Sequence, residues 1–411
     1  MLLALLAGLA LLTQTRIEPL SAWDNAFTDF LAMNSHHGDR PAPLTVVGIN
    51  DAYLAKDPWP WSPLEFSVFF QGALPLKPDV IAIDQVLDWE RAMILPDEQN
   101  RKLAQYAQAL HRNLLLAQNM VLGAKLGMPD DPQVIPPLQE VPLLRNVQGS
   151  ISEIPEFVAV EQQPSESYQL ASKIGFTNLP PLHSHFNSVP LLLRYRGQVT
   201  PSFTLQAVLV WAKLTPDDVT VEMGSHIDIG KQFHIPIDSR GRMRVDFGAP
   251  FTSFTFEELA LASEQKQSGV QPIVPIDRMT GGIVLLTRTD NAARTIPLAA
   301  RRNGSPGELF AAAIATIQNQ SFIRPVPDWA QYVVVAVFML WSFPIPRMRK
   351  FKTILYGVFA LAVYTLVALA VFGYWLMWLP GVAPVGVVAI CTLFRLVTPE
   401  GFGKPKRPVI L

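Results

Sequence analysis

The sequence predicts an α/β fold, a mixed and largely parallel sheet flanked by helices, together with an N-terminal membrane segment and three C-terminal transmembrane helices. Two patterns lead there. Short runs rich in Val and Ile alternate with well-capped helical stretches across the middle of the chain, as strands alternate with crossover helices. Beyond Asp328 the chain turns apolar, and from Thr353 to Phe394 no side chain is charged, a length that suits two spans of roughly 20 residues. Composition agrees: 16% of residues are charged, against roughly 25% in soluble proteins, and mean hydropathy is +0.23.

The first α/β unit is the clearest. Leu44 to Asn50 (LTVVGIN) reads as a buried strand, and Ser62-Pro63-Leu64-Glu65 opens a helix with a capping Ser, Pro in the first turn and Glu completing a capping box. Val80 to Asp84 (VIAID) is the next strand. Asp97 is placed to cap a helix through Arg112, with Leu103, Ala107 and Leu110 at helical spacing, and Leu114 to Gln118 (LLLAQ) is expected to be a third strand. Ser188 to Tyr195 reads as a strand, followed by a helix from Pro201 to Leu214 capped by Thr200. His226 to Gly230 and Phe233 to Ile237 flank a Gly-Lys turn, and Asp238 to Gly241 turns the chain into Arg242 to Phe247. Ile283 to Leu286 reads as a late core strand. Ser305-Pro306-Gly307-Glu308 caps a helix to about Gln320. The Pro-rich stretch from Met128 to Pro142 is expected to leave the core.

Three spans are expected at Trp329 to Ile345, Thr353 to Phe372 and Leu379 to Leu396, with Tyr374, Trp375 and Trp378 at an interfacial turn. Arg347, Arg349, Lys350 and Lys352 lie between the first two, and Lys404, Lys406 and Arg407 come after the last; by the positive-inside rule both segments are cytoplasmic. Leu2 to Leu12 is about 17 Å long as a helix, short of the roughly 30 Å hydrocarbon core, and is read as a transmembrane helix lacking its first turns, with a signal peptide as the alternative. The expected organisation is residues 1–16 as N-terminal anchor, 17–328 as extracytoplasmic domain, 329–396 as three spans and 397–411 as a basic cytoplasmic tail.

Composition also narrows function. Net charge is −1 from 33 basic and 34 acidic residues, which gives no field to attract nucleic acid. A single cysteine, Cys391, excludes a disulfide framework or thiolate metal site within one chain. No P-loop, dinucleotide fingerprint, H-E-x-x-H or nucleophile elbow is present, so no catalytic residue, cofactor or metal site is assigned. His183-Ser184-His185 and His36-His37 read as polar loops without a third ligand, and Glu257-Glu258 as part of a capping box begun by Thr255.

Five segments in order resemble the CHASE2 family of extracytoplasmic sensory domains in bacterial receptors: VVGINDAYLAKDPWPWSPLEF from Val46, VIAIDQVL from Val80, NSVPLLLRYRGQVTPSFTLQAV from Asn187, HIPIDSRGRMRVDF from His234 and SPGELFAAAIATIQNQSFIRPVP from Ser305. The resemblance implies three spans after the last helix and a sensory role in the inner membrane of a bacterium. The family's I-G-x-x-A after the late strand stands here as LLTRTDNAA, which weighs against a ligand role for that loop. The cyclase, kinase or phosphatase that usually comes after the spans is absent, so output is expected through a cytoplasmic signalling enzyme in trans. The other expected partners are an extracytoplasmic ligand, the lipid bilayer and a second copy of the chain in a homodimer. An envelope scaffold without switching is the alternative reading.

Ligands of open α/β sheets bind beyond the carboxyl ends of the strands. Asp51, Asp84, Gln118 and Asn119 are expected at that edge, with Trp59 and Trp61 on the adjoining loop; each also has a structural reading, as helix cap or loop packing.

Overall fold

The computed structural model describes residues 18–34, 40–89, 98–128, 141–180, 186–291, 295–298, 303–326, 328–342 and 349–397, and every structural statement concerns these. The chain divides into two compact units, His37–Phe322 and a second made of Met1–His36 with Ile323–Leu411.

The larger unit is built on a seven-stranded sheet. Its strands are β1 (Leu44–Ile49), β2 (Val80–Ile83), β3 (Met120–Gly127), β4 (Ala159–Gln162), β5 (Lys173–Phe176), β6 (Thr252–Thr255) and β7 (Ile283–Arg288). They run in the order β6-β1-β7-β2-β3-β4, with β5 also paired to β3; every pairing is parallel except β3 with β4. The Asn178 side chain takes both the N–H and the C=O of Leu126, each at 2.8 Å, and so occupies the β5 side of β3. Alternation of backbone groups along a strand then puts β4 on the opposite side, beyond the end of β2.

Helices cover both faces, which is why β1, β2 and β7 are buried along almost their whole length rather than at alternate positions. On one face Val47, Ile49, Ile81, Ile83, Leu122, Val284 and Leu286 pack with Phe66, Phe69 and Phe70 of α2 (Pro63–Ala73), Leu110 and Leu114 of α3 (Glu98–Leu116) and Leu259 of α5 (Phe256–Gln267). On the other, Val46, Ala82, Val121 and Leu285 pack with α4 (Phe203–Trp211) and α6 (Pro306–Gln318). Each buried Phe or Leu contributes roughly 1.5–3 kcal/mol. A four-stranded sheet joins Asn146–Gln148, Val219–Glu222, His226–Ile229 and Phe233–Pro236, the last two as the expected antiparallel hairpin.

The caps match the sequence closely. Ser62 and Ser305 cap α2 and α6, and Thr255 and Glu258 form a reciprocal capping box on α5. Three expectations are corrected. Leu114 to Gln118 is not a strand: α3 continues to Leu116, burying Leu110 and Leu114 while Leu115 and Leu116 face outward, and the strand is β3, begun at Met120. The three-leucine run hides the helical period that Leu103, Ala107 and Leu110 set up. Pro201 belongs to a strand (Gln198–Pro201) paired with Leu192–Tyr195, and Ser202 rather than Thr200 caps α4. The strand after the Asp238 turn is shorter than expected, Arg242–Arg244, and pairs with Ser188–Pro190. Asp97, His36-His37, His183-Ser184-His185, the N-terminal apolar run, the stretch from 129 to 140 and the basic tail lie outside the described residues.

The smaller unit contains α1 (Glu18–Asn34), unforeseen in the sequence, with α7 (Asp328–Ser342), α8 (Lys350–Trp375) and α9 (Val382–Val397). These last three overlap the segments expected as spans. Among the described residues only α8, with mean hydropathy 2.4 in its most apolar stretch, is long and apolar enough to cross a membrane. At roughly 1.5 Å per residue α7 and α9 fall short of a core of about 30 Å. Leu31, Phe338, Ala360, Tyr364, Phe372 and Cys391 are buried among them. Asp24 on α1 accepts from the N–H groups of Gly381 (2.7 Å) and Val382 (2.8 Å), satisfying orphan donors at the start of α9.

Candidate functional site

The strand order puts β7 between β1 and β2, so the residues immediately after these three strands make the carboxyl edge at the sheet centre. After β1, Asn50 caps the short helix Asp51–Leu54 by accepting from the Tyr53 N–H at 3.0 Å. This turns Asp51 toward β7, where its carboxylate accepts from Asn291 N (3.0 Å) and Nδ2 (2.7 Å). After β2, side-chain alternation sends Asp84 to the face that carries Ala82. There Thr287, on the same face of β7, donates its hydroxyl to Asp84 Oδ2 at 2.6 Å, and Gln85 Nε2 donates to Oδ1 at 2.8 Å.

Asp84 is 8% exposed and Thr287 fully buried. Burial pushes the Asp84 carboxyl up to about 6, against the lowering effect of the bonds from Thr287 and Gln85 and of the Arg288 charge. The first turn of α6 closes this face, because a Cβ on Gly307 would overlap the Thr287 side chain. Only glycine lets the helix start this near the strand.

On the other face Arg288 forms a two-pronged pair with Asp290, 2.8 Å from Nε and 2.7 Å from Nη2, with the Asp290 side chain fully buried. The guanidinium also lies 4.6 Å from the centre of the Trp59 ring, in cation–π contact. Trp59 is half-buried and within reach of this edge. Trp61 is 2% exposed and packs edge-on against Tyr53, Phe66 and Phe256, so it supports the loop from beneath and presents no face to a ligand.

The structure therefore brings Asp51, Asp84 and Trp59 to the expected edge and puts Gln118 and Asn119 elsewhere. Both precede β3 rather than succeed it, and Asn119 Nδ2 donates to the Asp79 carbonyl at 3.1 Å, at the amino ends of the strands. That is the consequence of placing the third strand at Leu114 to Gln118. Sequence reasoning quotes the segment that holds Thr287, Arg288, Asp290 and Asn291 but weighs against a ligand role for it, although it lies at the carboxyl end of the core strand placed at Ile283 to Leu286 and partners the expected site residues. A wide open groove lined by Leu144, Arg145, Gln198 and Asp217 lies apart from this edge, since none of its lining residues succeeds a strand of the parallel sheet.

The architecture, a largely parallel sheet with an acidic and aromatic carboxyl edge, can be set beside known families. A family model for the CHASE2 domain matches residues 2–344. The chain belongs to the CHASE2 family. CHASE2 domains are extracytoplasmic sensory domains of membrane proteins. No curated protein and no solved structure matches the chain.

Proposed function

We propose that this CHASE2 protein is a membrane-bound sensor whose ligand engages the carboxyl edge at Asp84, Thr287, Arg288 and Trp59, with Asp51 at its rim. The observation that carries the reading is the Asp84–Thr287 contact, a buried carboxyl on the central strands held directly under the start of α6. A ligand that changes the charge or position of Asp84 must act on α6, because the two are in contact through Thr287. Residues 319–327 alone separate α6 from α7 in sequence, so a displacement of α6 has a short covalent route toward the apolar helices.

The membrane assignment draws support from the outward faces of α7 and α8, where Val333, Leu340, Leu355, Phe359 and Leu366 are exposed and would meet lipid. The basic residues from Arg347 to Lys352 support a cytoplasmic position for the connection between α7 and α8, where a signalling enzyme would be the partner.

A thermal-shift screen of small molecules against the full chain in nanodiscs tests the site. Ligands that stabilise the wild type should lose most of their effect in Asp51→Ala and Arg288→Met. Stabilisation unchanged in both folded variants would move the site away from this edge. Crosslinking in native membranes tests the output: capture of a signalling enzyme supports sensing, and repeated capture of envelope-assembly proteins alone supports a scaffold instead.

A further inference from the structure

The hairpin His226–Ile229/Phe233–Pro236 carries a second, independent constellation. Residues two apart on a strand share a face, so His226 and Asp228 point the same way, and the antiparallel register puts His234 directly across from Asp228. The inward residues Ile227, Ile229 and Ile235 are fully buried, which fixes the other three on the solvent face. On the neighbouring strand Glu222 is the cross-strand partner of His226.

The contacts are close. His226 Nε2 lies 3.2 Å from Asp228 Oδ2, His234 Nδ1 lies 2.7 Å from Asp228 Oδ1, and the two imidazole centroids are 4.2 Å apart. Glu222 Oε2 is 3.7 Å from His226 Nδ1. One ligand atom from each of His226, Asp228 and His234 falls within a sphere where all are within 4.8 Å of one another.

From this we propose that the hairpin face binds a divalent transition-metal ion of the Zn2+ class through His226 Nε2, His234 and Asp228. Two imidazoles and a carboxylate are the donor set such ions prefer. At Zn–N and Zn–O distances of about 2.0–2.2 Å, tetrahedral ligand atoms stand roughly 3.3–3.5 Å apart. The His226 Nε2–Asp228 Oδ2 contact of 3.2 Å already lies near that value, the His234 Nδ1–Asp228 Oδ1 contact of 2.7 Å is shorter, and the His234 side chain, 59% exposed, has room to rotate into place. A hydroxyl partner is in place as well: Ser225 Oγ, 2.8 Å from His226 Nδ1, can accept from Nδ1–H and so leave the Nε2 lone pair for the metal. Glu222 supplies a further negative charge beside the ion. Without a cation, two imidazoles set against each other at a tilt of 35° near an exposed surface bury little apolar area and gain little from packing.

The site is independent of the carboxyl edge at Asp84, and its test does not depend on signalling. Full-length protein in detergent, purified without a polyhistidine tag and stripped with chelator, is titrated with Zn2+ and, separately, with Co2+ as a spectroscopic probe. The wild type should bind one Zn2+ per chain and give the intense visible spectrum of low-coordinate Co2+. His226→Ala/His234→Ala should weaken Zn2+ binding by about 100-fold or more and abolish the Co2+ spectrum, and Glu222→Gln should weaken it by roughly 10–100-fold. Thr220→Ala, an exposed change on a neighbouring strand, and His183→Ala/His185→Ala should leave both unchanged. Wild-type protein that takes up no stoichiometric Zn2+, or a His226→Ala/His234→Ala variant that binds it as tightly as wild type, overturns the proposal.

Discussion

Asp84 makes a quantitative prediction about stability and pH. Its carboxyl sits at about 6 in the folded protein against an ordinary value of 3.8. A raised folded-state value means that the native state binds the proton more tightly than the unfolded chain does. The corresponding stabilisation is present in full below about pH 4 and is lost as pH rises through 6. Converting the difference at about 1.4 kcal/mol per pH unit gives about 3 kcal/mol in all, of which about 2 kcal/mol is lost between pH 4 and pH 7. Asp84→Asn cannot ionise, keeps an oxygen for the Thr287 hydroxyl, and accommodates Gln85 by an amide flip. Its stability relative to wild type should therefore rise by about 2 kcal/mol from pH 4.5 to pH 7.5. Taking the difference between the two proteins at each pH cancels the other titrating groups. Pulse proteolysis of the full chain across a urea series at several pH values measures it. A difference that stays flat across this range would refute the claim that Asp84 is held in a poorly solvated site.

Two further outcomes are expected from packing and from the apolar helices. Gly307→Ala should destabilise the larger unit by about 1–3 kcal/mol through overlap with Thr287, and the penalty should shrink in a Thr287→Ala background, as urea titration of the single and double variants will measure. Leu366→Arg, on the exposed face of α8, should lower integration of the chain into membranes, because a central charge costs about 2.5–3.5 kcal/mol on insertion; undiminished resistance to carbonate extraction would count against a lipid-facing α8.

Much of the fold is legible because its signals are local. Ser62-Pro63, Thr255 with Glu258, and Ser305-Pro306 each satisfy backbone donors within a few residues, so the capping oxygen marks the helix start whatever surrounds it. The runs in β1, β2 and β7 are equally direct, being dominated by apolar residues on both faces because both faces are covered. The pattern misleads where a tertiary partner decides. Leu114 to Leu116 has the apolar density of a buried strand, and only the face presented to the sheet distinguishes the buried Leu114 from its exposed neighbours. Helix α1 is similar. Its apolar Phe27 stacks on Tyr364 and its Asp24 caps α9, partners more than 300 residues away along the chain.

The site divides along the same line, and the division bears on function. Asp51, Asp84 and Trp59 are legible because a strand ending in Asp is a local pattern, whereas Thr287 to Asn291, at the end of β7 and just beyond it, offer no such pattern. Yet those residues partner every legible one: Thr287 meets Asp84, Arg288 covers Trp59, and Asn291 holds Asp51. Stability alone gives little reason for such an arrangement. A buried pair such as Arg288–Asp290 loses on desolvation much of what it gains in attraction, and well-packed apolar residues often do as well. An ionisable carboxyl under a helix start carries a similar penalty. A fold that only held partners could fill this edge with apolar residues such as Ile83 and Leu286, which stand one residue earlier in β2 and β7. Charged and titratable groups there, drawn from the ends of β1, β2 and β7, would give the edge alternative states that differ in charge, and that is what the sensing reading requires of it.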